Sequence, residues 1–168
     1  MDIQEICEYI INNINSIISV EQIADIFHYN KSYMMRKFKD YTGFTVNEFI
    51  NECRVYNSTN PLIYTDNSIL KIALTNGFNS LEYYSEKFKD IIGTSPLKFR
   101  QIYSSLLEIA NNSKDTEELK VIKNALTELQ EYQMYLNSIG TAVTAENQEI
   151  SRPKIKTFTG ISSKNVYK

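Results

Sequence analysis

The stretch RKFKDYTG at residues 36–43 is nearly repeated fifty residues later as EKFKDIIG at residues 86–93. The two stretches share K-F-K-D and the final glycine. The residue before the shared K-F-K-D changes from Arg36 to Glu86, which reverses its charge. A repeat of this length inside one short chain indicates two copies of a single structural unit.

The repeat extends beyond this stretch, because Ile23-Ala24 matches Ile72-Ala73 and Phe49 matches Phe99. Each copy has the pattern of a short helix, a tight turn, a longer helix that ends at glycine, and a further helix. We therefore expect an all-α fold that contains a helix-turn-helix twice, with a linker helix between the copies.

Capping signals mark where these helices begin and end. The predicted signals are Ser19 with Gln22, Thr45 with Glu48, Ser95 with Pro96 and Asp115 with Glu118 for N-termini, and Gly43 and Gly93 for C-termini. Pro61 lies in the fourth helix, where a proline costs about 3 kcal/mol, so we expect that helix to end or kink there.

The composition is that of a globular protein, with 42% hydrophobic and 23% charged residues among 168. No run of about 18 apolar residues predicts a membrane span, and the acidic N-terminus is unlike a signal peptide, so we expect a cytoplasmic protein.

Cys7 and Cys53 lie at helical core positions and are expected to be buried free thiols. With one histidine, His28, and no catalytic motif, we expect no enzyme activity, no metal and no cofactor.

The longer helix of each copy has an inner and an outer face. We expect the inner faces to hold Met34, Phe38 and Tyr41 in the first copy and Tyr84, Phe88 and Ile91 in the second. In a helix-turn-helix the second helix enters the major groove, so the outer faces are candidates for DNA contact. Arg36 is the strongest of them, because arginine pairs bidentately with guanine. Glu82 and Glu86 can accept a hydrogen bond from a cytosine amino group, but phosphate repels them, and a merely solvated face is the alternative for both.

Residues 19–101 resemble the paired helix-turn-helix DNA-binding domain of the AraC/XylS transcription regulators. The resemblance follows SVEQIADIFHYNKSYMMRKFKDYTG, NEFINECR and ILKIALTNGFNSLEYYSEKFKDIIGTSPLKFR. It implies two helix-turn-helix subdomains, whose reading helices enter successive major grooves of double-stranded DNA.

Carried over by position, the resemblance implies DNA contacts from two sets of residues. They are Lys31, Ser32, Tyr33, Met35, Arg36 and Lys39 in the first copy, and Ser80, Leu81, Glu82, Tyr83, Glu86 and Lys89 in the second. Arg100 is expected to contact the DNA backbone or to be structural. His28 stands where the family's first turn has glycine, and we interpret it as a structural substitution, because histidine tolerates a left-handed backbone.

The expected organisation has four parts. They are a first subdomain with the linker helix (1–59), a second subdomain (60–102), a C-terminal helical extension (103–140) and a polar, basic, mobile tail (141–168). In the extension, a stripe of leucine and isoleucine with Gln133 in one core slot predicts a long helix over 116–138. That stripe favours either a coiled-coil homodimer or packing against its own domain.

The charge balance opposes DNA binding, since residues 1–102 contain 10 Lys and Arg but 12 Asp and Glu. Two linked readers would offset weak individual affinities through effective concentration. We expect a sequence-specific transcription regulator that acts on RNA polymerase. The alternative is a protein-interaction or anti-regulator module that keeps this fold and has lost DNA binding.

Overall fold

The structure is a computed structural model, and it describes residues 1–16 and 18–139. All the regular structure in those ranges is helical, as predicted. The helices are α1 (Ile3–Asn12), α2 (Val20–Ile26), α3 (Lys31–Thr42), α4 (Val46–Tyr64), α5 (Ile69–Thr75), α6 (Leu81–Ile92), α7 (Pro96–Asn112) and α8 (Thr116–Ile139). The predicted tail at 141–168 lies outside the described residues.

The predicted caps are confirmed, apart from the pairing of Asp115 with Glu118, because the Glu118 carboxylate accepts from the hydroxyl of Ser113 instead. Both capping boxes form with reciprocal hydrogen bonds, and Ser95 accepts from the backbone of Lys98 with Pro96 at the first helical position. Gly43 and Gly93 end α3 and α6 in the left-handed conformation. Asp115 accepts a hydrogen bond from the backbone N–H of Glu117 at the start of α8. Local signals therefore define most of the helix boundaries before any packing is considered.

The two helix-turn-helix units have matching turns. In the first, the backbone N–H of Tyr29 donates to the carbonyl of Ala24 at 2.9 Å, and in the second Phe78 donates to Ala73 at 3.1 Å. His28 and Gly77 occupy the equivalent turn positions, with φ of 56° and 84°. The interpretation of His28 as a left-handed turn residue is confirmed.

The inner faces of the reading helices α3 and α6 differ from the prediction at their last turn. Tyr41 is 43% exposed, and Thr42 is buried in its place. Ile91 is half-buried, and Ile92 is the buried residue. The buried positions are four residues apart in both helices, so the inner stripe continues with that spacing up to the glycine cap, and the step of three expected for the last turn is wrong.

Helix α4 does not end at Pro61, which was one of the two predicted outcomes, and continues to Tyr64 across the expected boundary between residues 59 and 60. The turn after the proline is anchored, because Leu62 is fully buried and Ile63 is 9% exposed. Arg100 of α7 also donates to the carbonyls of Leu62 at 3.1 Å and Asn67 at 2.6 Å. These contacts offset the lost proline hydrogen bond, and they show that Arg100 has a structural role.

Helix α8 packs on α1, α4 and α7 of its own chain. Ile122, Leu129 and Leu136 of the predicted stripe are buried there, which agrees with the second of the two alternatives for this helix. The missing core slot is filled by Tyr132, which is buried, and the assignment of that slot to Gln133 is wrong. Gln133 is half-buried and donates to the side chain of Asn57 at 3.3 Å.

Candidate nucleic-acid interface

The first reading helix, α3, presents the predicted residues outward. Asn30 caps it by accepting from the backbone of Tyr33 at 3.1 Å. Met34, Phe38 and Thr42 turn inward. This arrangement leaves all six predicted positions of the first copy exposed, namely Lys31, Ser32, Tyr33, Met35, Arg36 and Lys39.

The cations of α3 differ in their availability. Lys31 forms an ion pair with Glu21 of α2, and its hydrogen bond to that carboxylate lowers the pKa of Glu21. Among the residues that the structure describes, Arg36 and Lys39 have no ion-pair partner. An exposed guanidinium with no competing carboxylate can donate its full fork to a base edge or a phosphate. Arg36 therefore has both the position and the freedom that base recognition needs.

The second reading helix, α6, uses three of its predicted residues for structural purposes. Ser80 is the N-cap and accepts from the backbone of Tyr83 at 3.1 Å. Leu81 is half-buried and packs against the core. The hydroxyl of Tyr83 accepts from the side chain of Asn51 in α4 at 3.0 Å. These three residues already make contacts within the protein, which limits their availability to DNA.

The remaining outer residues of α6, which are Glu82, Glu86 and Lys89, are exposed. Glu86 accepts a hydrogen bond from Lys87 at 3.1 Å, and Lys87 also lies 3.7 Å from Asp90. The hydrogen bond to Glu86 is the main cause that raises the pKa of Lys87. The outer face of α6 is therefore acidic at Glu82, and the charge of Glu86 is paired with Lys87 of the same helix. The outer face of α3 is basic.

A feature of both helices escaped the sequence analysis. Lys37 lies 5.9 Å from the ring centroid of Tyr33, and the equivalent Lys87 lies 5.4 Å from that of Tyr83. Each pair is four residues apart, a spacing that brings side chains together on one helix face. The repeated Tyr and Lys were visible in the sequence, and their recurrence was the signal for this contact.

Arg54 in α4 also escaped the sequence analysis. It is 8% exposed, and it donates to the carbonyls of Ile14 at 2.9 Å and of Ser16. Its guanidinium lies 5.9 Å from the ring of Phe78 in the second turn. Burial lowers the pKa of Arg54. The residue joins the segment between α1 and α2 to the turn of the second unit and is unavailable to DNA.

Two features are absent from the described ranges, a metal-binding cluster and a membrane-spanning helix. No group of three or more His, Cys, Asp or Glu residues is placed there to hold a metal ion. None of the helices between residues 1 and 139 is both long and apolar enough to cross a membrane. Cys7 and Cys53 are free and buried, as predicted, and burial raises the pKa of Cys7 to about 12.

A family model described as a helix-turn-helix domain matches residues 23–102. The chain also folds like a transcriptional regulator from Chromobacterium violaceum described as containing an AraC-type DNA-binding domain. That structure has a TM-score of 0.56 at 24% identity, over 61% of this chain and 92% of the other. Residues 23–102 therefore match a helix-turn-helix domain, and the chain has the fold of an AraC-type DNA-binding domain; these residues are termed the AraC-type domain.

Two further proteins resemble the AraC-type domain. The DNA-binding domain of AdpA, solved in complex with a target DNA, has a TM-score of 0.58 at 22% identity, over 61% of this chain and 92% of that one. The bifunctional transcriptional activator/DNA repair enzyme AdaA of Bacillus subtilis (strain 168) is 36% identical over 109 residues, which are 65% of this chain. The chain spans about half the length of that relative, 51%. The match to the helix-turn-helix model ends within α7, and α8 follows it.

Proposed function

We propose that the chain is a sequence-specific transcription regulator that reads two adjacent major grooves with α3 and α6. The observation that supports this most is the repeated geometry, in which two equivalent turns present two equivalent helices. The AraC-type domain favours DNA as the ligand. Base readout by the first helix rests on the exposed and unpaired side chain of Arg36.

The two helices are expected to contribute unequally. Arg36 and Lys39 on α3 attract phosphate and can reach a guanine edge, so α3 would supply most of the affinity. On α6, Glu82 is exposed, and a carboxylate can accept from a cytosine amino group. We therefore expect the first helix to prefer a half-site containing guanine and the second to discriminate without adding much affinity.

The wider assembly belongs to the same proposal. A regulator of this kind acts by recruiting or obstructing RNA polymerase, and we expect it in the cytoplasm with its DNA. A homodimer through residues 116–138 would have to use the outer side of α8, because the apolar stripe is buried in its own chain. We accordingly favour a regulator whose paired helices act within one chain, and we propose no enzymatic step for it.

The acidic outer face of α6 favours one competing function, a protein-interaction module that has kept this fold. In that case Glu82 and Glu86 would meet basic side chains of a protein partner. The two functions differ in one respect that can be measured. Only the regulator has an affinity for duplex DNA that depends on sequence and on Arg36.

The test is selection from a pool of random duplexes, followed by sequencing, with wild type and Arg36→Ala in parallel. Lys123→Ala on α8 is the matched control, since it removes one exposed positive charge far along the chain from the reading helices. We expect wild type and the control to select a two-part site. Arg36→Ala should lose preference in one half and weaken binding by about 10- to 100-fold, as a bidentate arginine–guanine contact predicts. If wild type selects no site even at low salt, the regulator proposal is wrong.

A further inference from the structure

Helix α8 lies outside the AraC-type domain. It contacts α1, which precedes that domain in the chain, and α7, in which the domain ends. It packs on α1, which packs on α3, and on α7, which packs on α6. Between these it packs on the linker helix α4. Its buried side chains join the same core as both helix-turn-helix units, at Ala125, Leu129, Tyr132, Leu136 and Ile139. A helix that packs on α1, on α7 and on the linker between the units restricts how the units move relative to each other.

One side of α4 is occupied by the second reading helix. Asn51 donates to the hydroxyl of Tyr83 at 3.0 Å. Seven residues later, Ser58 accepts from the buried hydroxyl of Tyr84 at 2.9 Å. Residues seven apart lie on the same side of a helix, so these two contacts define the side of α4 that faces α6.

The opposite side of α4 is occupied by α8. Tyr132 stacks on Tyr56 with ring centroids 4.2 Å apart and planes at 14°. Its hydroxyl donates to the carboxylate of Glu52 at 3.0 Å in a buried site. Next to it, Gln133 donates to the side chain of Asn57. Successive residues are about 100° apart around a helix, so Glu52, Tyr56 and Asn57 together lie on the side of α4 that is opposite Asn51 and Ser58.

The contact of Tyr132 with Glu52 and Tyr56 favours one register of α8 along α4. A purely apolar seam tolerates sliding, because dispersion and burial have little directional preference. A buried phenol that must reach one carboxylate has a single acceptable position along the seam. Tyr132 therefore sets where α8 sits on α4, and the contacts of α8 with α1 and α7 follow from that register.

We propose that α8 is a positioning element, with Tyr132 at its centre, that holds α3 and α6 at one relative placement and so selects the spacing between the two half-sites. This inference rests on the proposed function for its consequence in DNA recognition. Its structural part, the placement of the two reading helices, can be measured without DNA.

The structural measurement uses nitroxide labels on the two outer faces of the full chain, at Ser32→Cys and Glu82→Cys. Both positions are exposed, whereas the native Cys7 and Cys53 are buried. The distance distribution is compared between the otherwise wild-type protein, Tyr132→Ala and Met134→Ala. Met134 lies on the same helix and is 70% exposed, which makes it a matched control. We expect the distribution to shift or broaden for Tyr132→Ala and to stay unchanged for Met134→Ala.

The DNA measurement compares a selected two-part duplex with the same duplex after one base pair is inserted between its halves. The insertion moves the second half by about 3.4 Å and rotates it by about 34°. We expect wild type and Met134→Ala to lose about tenfold or more in affinity on insertion, as two linked contacts predict when one is misplaced. Tyr132→Ala should lose about threefold or less from the same insertion, because its reading helices can adjust.

A second variant guards against a Tyr132→Ala protein that fails to fold. Tyr132→Phe keeps the ring against Tyr56 and removes only the hydrogen bond to Glu52, and we expect smaller changes in the same direction. Folded variants with unchanged label distances and unchanged spacing preference would overturn the inference while leaving the proposed function intact. If wild type selects no DNA, the proposed function fails, and the label distances still decide whether α8 positions the helices.

Discussion

Two equivalent turn residues, His28 and Gly77, tolerate substitution differently. Both have a left-handed backbone. The side chain of His28 is exposed. At Gly77 a Cβ would lie 2.8 Å from both the Arg54 Nε and the Ile14 carbonyl oxygen. The first turn can therefore hold a side chain at modest cost, and the second cannot, because the hydrogen bond between Arg54 and Ile14 passes through the space a Cβ would need.

We predict that His28→Gly and Gly77→Ala change the free energy of unfolding in opposite directions. His28→Gly should raise the free energy of unfolding by up to about 1 kcal/mol, since glycine adopts positive φ without steric strain. Gly77→Ala should lower it by about 2 kcal/mol or more, because it combines backbone strain with displacement of Arg54. Urea unfolding of both variants is the measurement. Equal effects at the two positions would contradict this account.

Tyr84 makes the fold sensitive to alkali. Burial raises the pKa of its phenol to about 12, against the opposing effects of the hydrogen bond with Ser58 and of Arg100. In the unfolded chain the pKa is about 10, so the folded state holds this proton more tightly. The resulting stability is fully present below about pH 10 and is lost as pH rises from there toward 12.

We predict that Tyr84→Phe flattens this alkaline loss. Wild type should lose up to about 1.4 kcal/mol of unfolding free energy per pH unit from this group between about pH 10 and 12. The variant lacks the ionisable group and should show a shallower decline there. Tyr64→Phe, at a position that is 63% exposed, is the control and should follow wild type. Chemical denaturation at several pH values decides the matter, and identical slopes for all three proteins would count against it.

At the scale of the element, α4 is the helix where local and tertiary preferences disagree. A proline in a helix interior removes one hydrogen bond and costs about 3 kcal/mol. Full burial of residues such as Leu62 and Ile63 stabilises by roughly 1.5–3 kcal/mol each, which is enough to keep the turn helical. Arg100 adds donors to the carbonyl groups at its end. The helix continues because the last turn has partners that the local sequence does not reveal.

We predict that Pro61→Ala stabilises the protein. Alanine restores an N–H for the carbonyl four residues earlier and removes the ring clash, so the free energy of unfolding should rise by about 1–3 kcal/mol. Asn60→Ala changes the exposed neighbour and should stay within about 0.5 kcal/mol of wild type. Thermal and urea unfolding are the readouts. A destabilised Pro61→Ala would mean that the proline ring itself is needed against the core.

Helix α8 is a second case at this scale. Its stripe of large apolar residues predicted burial but did not specify whether the stripe packs on a second copy or on its own chain. A coiled coil and a self-packed helix need the same spacing. What decided between them is the neighbouring helix α4, where Tyr56 and Glu52 accept the ring and the hydroxyl of Tyr132. No periodicity in α8 encodes those two contacts.

For the whole molecule, the formal charge of −2 is the main constraint on how DNA is bound. Phosphate contacts release counterions and normally dominate affinity, so a protein of this charge needs its cations concentrated at one place. The three exposed cations of α3 other than the paired Lys31 are Arg36, Lys37 and Lys39. Affinity should therefore come from a small number of phosphate contacts near the first reading helix.

We predict a shallow salt dependence for binding to the selected duplex. About three phosphate contacts give a slope of about −3 in log affinity against log salt concentration. Lys39→Gln should reduce the magnitude by about 0.9, whereas Lys123→Gln on α8 should leave it unchanged. A titration of affinity against salt measures this. A wild-type slope steeper than about −6 is incompatible with the prediction, because it requires cations beyond α3.

The sequence by itself determined the all-α class, the doubled helix-turn-helix, most of the caps and the outward residues of α3, and the family resemblance added the left-handed turn at His28. All of these depend on short-range chemistry: hydrogen bonds within three or four residues, glycine at positive φ, and the helical repeat of apolar positions. Only the tertiary structure decided that α4 passes through Pro61, that Arg54 and Arg100 are structural, that Tyr83 is tied to Asn51, and that α8 folds back on the linker. Each of these depends on contacts between residues 32 to 80 positions apart, and no local pattern specifies which distant side chain completes such a pair.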